Sequence, residues 1–238
     1  IHSDTPVWIG SHAEPAPRAI RASPMPRQIA VVGSGPAGLA AANELALAGH
    51  RVTLFEGEKE LGGVLRTGIP SYRLPRDVVD REIKAILDTG VHACTGHFLD
   101  HDDLDALAVE YDAVILAAGF MRLTGLDIPG VRLSGIEQGV RFLHRVNVEG
   151  GTRLQGHVVV LGGGNTAMDC ARSALRSGAA SVTVAYRRTL QEMPAIREEI
   201  EEAHREGIAF LFQRQPTAFF GHLRLAALEL AEVEMGEP

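Results

Sequence analysis

Short apolar runs alternate with longer segments of helical periodicity along most of the chain. The first apolar run, 29–32, predicts a buried strand, and the alanine- and leucine-rich segment 37–48 predicts a helix that Gly49 ends. A weak alternation of leucines between Leu223 and Leu230 predicts a β-ribbon near the end of the chain. Between these segments the pattern predicts strands at 52–55, around Cys94, and at 113–117, 158–161, 182–186 and 208–212. It predicts helices at 77–89, from about His101, at 136–146 and 166–176, and from Pro194 to about Glu206.

Repeated strand–helix–strand order is typical of α/β proteins, in which helices cover both faces of a parallel sheet. The unit that begins near Ile29 and the unit that begins near Val158 have the pattern of two copies of one architecture. We therefore predict a first domain at 28–125 and a second domain at 126–238. Residues 1–27, rich in proline, alanine, serine and arginine, are predicted to be a leader or linker.

The glycine-rich sequence GSGPAG at 33–38 follows the first predicted strand and opens the first predicted helix. In this context the three glycines of G-x-G-x-x-G permit a tight turn, close approach to a dinucleotide diphosphate, and close packing of helix on strand. Glu56 ends the next strand, where a carboxylate accepts hydrogen bonds from ribose hydroxyls and repels a 2′-phosphate. This site is thus predicted to bind FAD or NAD rather than NADP. Its residues are Gly33, Gly35, Pro36, Ala37, Gly38 and Glu56.

A second glycine-rich sequence, GGGNTA at 162–167, also follows an apolar strand and opens a helix. Its third motif position is Ala167, an accepted variant of the fingerprint. The next strand is followed by arginines instead of an acid, and guanidinium groups suit the charge of a 2′-phosphate. This exchange predicts NADPH rather than NADH at the second site. Its residues are Gly162, Gly164, Ala167, Arg187 and Arg188.

Charge and cysteine content limit the remaining possibilities. The 238-residue chain has a formal net charge of -7, which argues against nucleic-acid and membrane partners, and the apolar run 113–121 is too short to span a bilayer. Cys94 and Cys170 form neither a C-x-x-C pair nor an iron–sulfur ligand set, which disfavours a thioredoxin-reductase-like role. Both thiols are predicted to be buried and inert, as suits a reducing cytoplasm. No metal site is predicted, and the charge-dense segment 197–206 is predicted to be an exposed helix face.

Together these motifs resemble the small subunit of glutamate synthase, a family with an FAD domain followed by an NADPH domain, both Rossmann-like. The resemblance covers roughly 5–238. In the FAD domain it is carried by 33–38, LGGVLRTGIP at 61–70, YRLP at 72–75, YDAVILAAG at 111–119 and IPG at 128–130. In the NADPH domain it is carried by GGGNTAMD at 162–169, AYRR at 185–188 and MPA at 193–195.

The resemblance implies cofactors, residue roles and a partner. The implied cofactors are FAD and NADPH, and proteins of this type take hydride from NADPH onto FAD and pass electrons to an iron–sulfur protein or a larger catalytic subunit. Hydride transfer itself requires no acid–base residue, so we nominate none. The further implied contacts are Gly62, Gly63, Leu65 and Arg66 along the flavin, Ala118 and Gly119 over the FAD diphosphate or ribitol, and Asn165 and Thr166 at the NADPH phosphates.

Two departures from this family predict an incomplete chain. The family carries an N-terminal iron–sulfur domain, to whose tail only the stretch around 6–10 is similar, and a C-terminal segment that completes the FAD domain. We therefore expect 4Fe–4S clusters only in an absent domain or a partner. The motifs also fit the flavin subunit of another complex, such as a bifurcating transhydrogenase, a formate dehydrogenase or a dihydropyrimidine dehydrogenase-like enzyme. A non-catalytic nucleotide-binding module is the remaining alternative.

Overall fold

A computed structural model describes residues 19–120, 125–151 and 153–234 of the chain. In these ranges strands and helices alternate much as the hydrophobic pattern predicts. The strands are β1 (Gln28–Val32), β2 (Arg51–Glu56), β3 (His92–Thr95), β4 (Ala113–Leu116), β5 (His157–Leu161), β6 (Ser181–Tyr186), β7 (Ala209–Phe212), β8 (Arg214–Gly221) and β9 (Leu225–Glu232). The helices are α1 (Pro36–Leu47), α2 (Val64–Thr67), α3 (Arg76–Leu87), α4 (His101–Glu110), α5 (Gly139–Val148), α6 (Asn165–Arg176) and α7 (Arg197–Arg205), with a 3-10 turn at Leu190–Glu192.

The described strands form two parallel sheets and one hairpin. The first sheet has the order β3-β2-β1-β4 and the second the order β5-β6-β7, with all neighbours parallel. The strands β8 and β9 pair antiparallel. Within both parallel sheets helices connect consecutive strands, so the predicted α/β class with two Rossmann-like units is confirmed. The carboxyl ends of β1 and β5, where ligands bind in such sheets, lead directly into α1 and α6.

Each parallel sheet has its own apolar core. In the first, Val31 and Leu54 are fully buried, and α1 and α3 pack against them through Leu39 and Val79. In the second, α6 is nearly enclosed, with every residue from Ala167 to Ala174 buried. The helix α5 joins this second core through Phe142 and Leu143, while its polar side faces the first unit. The two glycine-rich turns are therefore held at the edges of two rigid cores.

Two helices begin later than the sequence pattern predicts. The helix α5 begins at Gly139 instead of 136, because Gly135 has a φ of 97° and Gln138 has extended backbone. The helix α7 begins at Arg197 instead of Pro194. The backbone is extended at Met193 and Ile196, and the amides of Ala195 and Ile196 donate to Gly163 and Asn165 of the second glycine-rich turn.

Two further elements and one thiol also differ from expectation. The short helix α2 and the strand β8 were not predicted; β8 contains Pro216, which lies at an irregularity in the pairing with β9. Cys170 is buried as predicted, but the prediction for Cys94 is wrong, because this thiol lies on the outer strand of the first sheet and is partly exposed. Among the described helices, none combines the length and the apolar character needed to cross a membrane.

Candidate dinucleotide-binding sites

Three glycines shape the turn between β1 and α1. Gly33 has a φ of 100°, and a side chain there would collide with the backbone of Ala117 at the end of β4. A Cβ on Gly38 would collide with the carbonyl oxygen of Gly33. A Cβ on Gly35, in contrast, would meet no described atom within 4 Å. Two of the glycines are thus required by the chain itself, while the third faces open space in front of the helix.

The start of α1 suits a diphosphate. Its N-cap residue is Gly35, which has no side chain to cap the helix, and Pro36 occupies the first helical position. Amide groups of the first turn lack partners within a helix, and the dipole makes this end positive. Ala37 is exposed beside the same opening. The residues present therefore fit a bound diphosphate, with the backbone as the source of donors.

Ser34, which sequence reasoning missed, links the turn to two other segments. Its side chain is fully buried, and its hydroxyl donates to Oε2 of Glu56 and accepts from the amide of Gly62 at 2.9 Å. The amide of Ser34 also donates to Oε2 of Glu56 at 2.9 Å. The only signal in the sequence is a hydroxyl between two motif glycines, with an acid at the end of the next strand.

Glu56 has the position predicted for a ribose-binding acid, and it is more constrained than expected. Its Oε1 accepts one hydrogen bond, from the amide of Glu58 at 2.9 Å, while Oε2 holds Ser34. A carboxylate oxygen has two acceptor positions, so Oε1 retains one. The contact with a ribose hydroxyl remains a prediction, and the structure adds a second role for this carboxylate in shaping the glycine-rich turn.

The segment that follows β2 lies against this turn. Gly62 and Gly63 both have positive φ, 128° and 49°, and a Cβ on Gly63 would lie 2.8 Å from the Cα of Gly35. Ala118 and Gly119 leave β4 next to Gly33 and are both exposed. The structure thus brings together the predicted residues of the first site from three separate stretches of chain.

Leu65 and Arg66 occupy different environments within this segment. Leu65 is partly buried against the first core. The Arg66 guanidinium pairs with Glu60 at 2.9 Å and with Asp80, and its Nε donates to the carbonyl of Leu61 at 2.9 Å. The Arg66 side chain is therefore already engaged with this segment and α3. A flavin contact predicted for Arg66 would involve its backbone or the edge of an already paired guanidinium.

The second glycine-rich turn repeats the plan of the first with different close contacts. Gly162 has a φ of 143°, and its amide donates to the carbonyl of Ala185 at 3.1 Å. A Cβ on Gly163 would lie 2.6 Å from the Tyr186 ring, so only glycine lets this ring pack beneath the turn. Gly164 caps α6, and a Cβ there would meet no described atom within 4 Å. The same open, uncapped helix start is therefore present a second time.

The residues after Gly164 differ in their surroundings: Asn165 holds the loop 193–196, whereas Thr166 is exposed. The Asn165 side-chain carbonyl accepts the amide of Ile196 at 2.8 Å, which leaves only its NH₂ group for a phosphate. The amide of Ala195 donates to the carbonyl of Gly163 at 3.1 Å, so 193–196 lies across the turn. Thr166 is exposed, and Ala167 is buried close to Gly162, where its small side chain fits.

Opposite charges follow the second strand of each unit. The strand β2 ends at buried Glu56, whereas β6 is followed by Arg187 and Arg188, which are exposed and form no ion pair with a carboxylate in the described ranges. The Arg188 carbonyl accepts the amide of Gln213 at 3.2 Å, which anchors the backbone at this point. The geometry thus offers a cationic end to the second site alone.

A partly buried group of charged residues joins the two units, and the sequence did not predict it. Nη1 of Arg73 contacts both carboxylate oxygens of Asp169 at 2.9 Å, and its Nε contacts Glu199 at 2.7 Å. Arg73 belongs to the segment before α3, whereas Asp169 lies on α6 and Glu199 on α7. Burial raises the pKa of Asp169, an effect that the hydrogen bond from Arg73 opposes.

Two further arginines, both on α6, belong to this group of charged residues. Arg172 contacts Glu199 at 2.6 Å and Glu206 at 2.8 Å, and Arg176 contacts Glu206 at 2.5 Å. Their Cζ atoms lie 4.8 and 4.1 Å from the centre of the Tyr72 ring. The prediction that 197–206 forms an exposed face is thus only partly right. The Arg197–Glu201 pair is exposed, whereas Glu199 and Glu206 contact Arg172 of α6. We define the inter-unit cluster as Tyr72, Arg73, Asp169, Arg172, Arg176, Glu199 and Glu206.

Comparison with known proteins gives relatives over most of the chain. It is 42% identical over 217 residues to the "NADP(+)-dependent formate dehydrogenase subunit beta" of Moorella thermoacetica, covering 89% of this chain and 31% of that protein. It is 39% identical over 223 residues to the "Glutamate synthase [NADPH] small chain" of Halomonas elongata, covering 89% of this chain and 47% of that protein. The chain therefore spans less than half the length of these curated relatives, which are named as a subunit and a small chain.

Solved structures share the fold, and a family model fixes the classification. FprA of Mycobacterium tuberculosis in complex with NADPH superposes with a TM-score of 0.77 at 20% identity, covering 90% of this chain and 65% of that one. Thioredoxin reductase of Lactococcus lactis gives a TM-score of 0.62 at 22% identity, covering 89% and 73%. The model described as pyridine nucleotide-disulphide oxidoreductase matches residues 27–235. With nearly all of its described residues inside that match, the chain belongs to the pyridine nucleotide-disulphide oxidoreductase family.

Proposed function

We propose that this chain is the nucleotide-binding part of a flavoprotein oxidoreductase of the glutamate synthase small-subunit type, which takes hydride from NADPH onto FAD and passes electrons to an iron–sulfur partner. One observation carries the proposal. Two open, glycine-capped helix starts, at Gly35 and Gly164, are followed by strand ends of opposite charge, with Glu56 at the first and Arg187–Arg188 at the second. This pairing supports two different dinucleotides in one chain.

At the first site, backbone and side-chain groups of the protein would bind and orient FAD. The first-turn amides of α1 receive the diphosphate, and Oε1 of Glu56 receives a ribose hydroxyl. The Gly63–Leu65 backbone and the exposed Ala118–Gly119 stretch border the same opening and would line the rest of the cofactor. FAD, when bound, supplies the acceptor for hydride and a means of releasing electrons onward. The Ser34 hydrogen bonds hold Glu56 and Gly62 against the glycine-rich turn.

At the second site the proposed ligand is NADPH. The open start of α6 at Gly164 receives its diphosphate, together with the NH₂ group of Asn165 and the hydroxyl of exposed Thr166. Arg187 and Arg188 neutralise the 2′-phosphate, which NADH lacks. The Tyr186 hydroxyl donates to the carbonyl of Glu192 at 2.8 Å, which fixes the loop that follows the arginines.

The partner and the surroundings of the chain are also proposals. A larger catalytic subunit or a separate iron–sulfur protein would accept the electrons, because neither cysteine of the chain offers a cluster ligand set. A cytoplasmic location agrees with the free thiols. The second candidate function is the flavin subunit of another electron-transfer complex, which is favoured by the 42% identity to a formate dehydrogenase subunit. Co-purification of the native complex, with metal and flavin analysis of its subunits, separates the two candidates.

Rapid mixing of the full-length protein with NADPH tests the proposal. We expect the protein to purify yellow and its flavin absorbance to bleach in a single turnover, faster with NADPH than with NADH. If dithionite bleaches the flavin but NADPH does not, the proposal is wrong. A colourless protein that takes up no FAD would favour a non-catalytic nucleotide-binding module instead.

A further inference from the structure

The segment that carries Arg73 is rigidly attached to the first glycine-rich turn. It begins at Gly62, whose amide bonds to Ser34, and it continues through α2. Arg76 then clamps it from the far end by donating to the carbonyls of Leu65 at 3.0 Å and Ile69 at 3.1 Å. Arg73 is therefore fixed to the same segment that borders the first dinucleotide site.

The partners of Arg73 are attached equally firmly to the second turn. Asp169 lies one helical turn after the start of α6, and that start is the open end at Gly164. The carboxylate is bound to Arg73, and the helix is buried from Ala167 to Ala174. The Arg73–Asp169 contact thus ties the first turn of α6 to the first unit.

The charge and burial of the Arg73–Asp169 contact restrict the arrangements that the two units can adopt. The inter-unit cluster pairs three guanidinium groups with three carboxylates, and Glu202 adds a fourth carboxylate 3.5 Å from Arg172. The side chains of Asp169 and Arg172 are each only 7% exposed. Buried ion pairs contribute little net stability compared with apolar packing, but they tolerate few alternative arrangements because an unpaired buried charge is costly. The cluster therefore fixes a relative position more than it adds cohesion.

Other contacts also hold the units together without the cluster. Nδ2 of Asn147 donates to the carbonyl of Thr67 at 3.1 Å, and Nε2 of His144 lies 3.0 Å from Oε1 of Glu58. Both contacts start from α5, which packs in the second core. Loss of Arg73 alone should thus leave two folded units in contact, but in a less defined relative position.

We propose that Arg73, through Asp169 and Glu199, is a positioning residue that sets the distance and orientation between the two dinucleotides for hydride transfer. This inference rests on the proposed function. Hydride transfer would move a proton with two electrons from the nicotinamide of NADPH to the flavin, which would oxidise NADPH and reduce FAD, and it would require a short distance between the two rings. A misplacement of about 1 Å at such a distance lowers rates by roughly 100-fold.

The test compares Arg73→Gln, Arg73→Lys and Asp169→Asn with the wild-type full-length protein. Arg197→Gln is the matched control, because it removes an arginine from an exposed ion pair on α7. Flavin content, the Kd for NADP+ and the limiting rate of flavin bleaching at saturating NADPH are measured for each. We expect Arg73→Gln and Asp169→Asn to lower the limiting rate by about 10- to 100-fold, with Kd and flavin content within about threefold of wild type. Arg73→Lys should recover part of the rate. The Arg197→Gln control should match wild type.

The outcomes separate this inference from the proposed function. If wild type itself is not bleached by NADPH, the proposed function fails. If wild type is bleached and Arg73→Gln retains the wild-type limiting rate, only the positioning role is overturned. Should Arg73→Gln not retain FAD, the flavin-loaded Asp169→Asn protein decides, and a wild-type limiting rate there also overturns the inference. A rise in Kd at an unchanged limiting rate would contradict it as well, since it indicates a role in binding alone.

Discussion

The hydroxyl of Ser34 accepts a hydrogen bond from the amide of Gly62 at 2.9 Å, deep inside the first unit. The same hydroxyl donates to Glu56, so one small side chain ties the glycine-rich turn to the end of β2 and to the segment beyond it. Both partners lie on stretches assigned here to one cofactor. The shape of the first site therefore depends on a residue that has no predicted contact with the cofactor.

Replacing Ser34 with alanine should weaken FAD binding. The buried Gly62 amide would lose its partner, and an unsatisfied buried donor costs about 1–3 kcal/mol, or roughly 5- to 150-fold in affinity if the loss falls on the bound state. Flavin retained after dialysis, and the Kd for FAD of the stripped protein, measure the effect. Ser71→Ala, at an exposed serine in the same unit, should retain the wild-type Kd. Equal affinities for FAD in both variants would mean that Ser34 does not support the first site.

Two neighbouring glycines should respond to alanine in opposite ways. Gly38→Ala forces a Cβ into the Gly33 carbonyl and should destabilise the flavin-free protein by about 3 kcal/mol or more. Gly35→Ala meets no described atom at a φ of -66°, so its effect should stay within about 1 kcal/mol. Urea unfolding of both flavin-free proteins measures the difference. A large loss of stability in Gly35→Ala would mean that this glycine is needed for folding and not for a ligand.

The coenzyme preference should depend on the arginine pair after β6. Removing both guanidiniums in Arg187→Ala/Arg188→Ala removes charge-assisted hydrogen bonds worth about 1.5–3 kcal/mol each, so preference for NADPH over NADH should fall by about 100-fold or more. The ratio of kcat/KM values for the two coenzymes measures it. The exposed Arg197→Gln variant should keep the wild-type ratio. An unchanged ratio in the double variant would contradict the assignment of the second site.

The sequence predicted the repeating parts of this molecule well. Predicted runs of four or five residues became the strands β1, β2, β5 and β6, because strands of a parallel sheet are covered by helices and favour apolar residues. Glycine spacing predicted both helix starts, because it reflects local backbone geometry. The positions of Glu56 and Arg187 at the ends of strands could be predicted for the same reason, since each follows its motif within one strand–helix–strand unit.

Contacts between distant parts of the chain could not be predicted in the same way. Nothing local distinguishes Arg73 from an exposed arginine in a loop, and its pairing with Asp169 depends on how the two units meet. Likewise, Glu199 has the helical neighbours of a solvated glutamate but faces α6. The late start of α7 also goes with a distant contact, because the extended residue Ile196, which precedes the helix, donates its amide to Asn165 of the second glycine-rich turn.

Alkaline pH should weaken the protein through Tyr72. Burial raises the pKa of Tyr72 from 10.0 to about 12, while Arg172 and Arg176 oppose this shift. Between these values the unfolded chain loses the phenol proton and the folded chain keeps it, so ionisation favours unfolding as the pH rises from about 10 to about 12. The urea midpoint should fall less over this range in Tyr72→Phe than in wild type or in Tyr111→Phe. Parallel pH profiles in all three proteins would contradict the account.

The most direct test of the central claim measures FAD content and NADP+ affinity together in the full-length Gly35→Ala and Gly164→Ala proteins. If each glycine makes room for a different dinucleotide, the first variant loses FAD and keeps its affinity for NADP+, while the second keeps FAD and loses NADP+ binding. Loss of both ligands in either variant, or of neither in both, would contradict two separate sites.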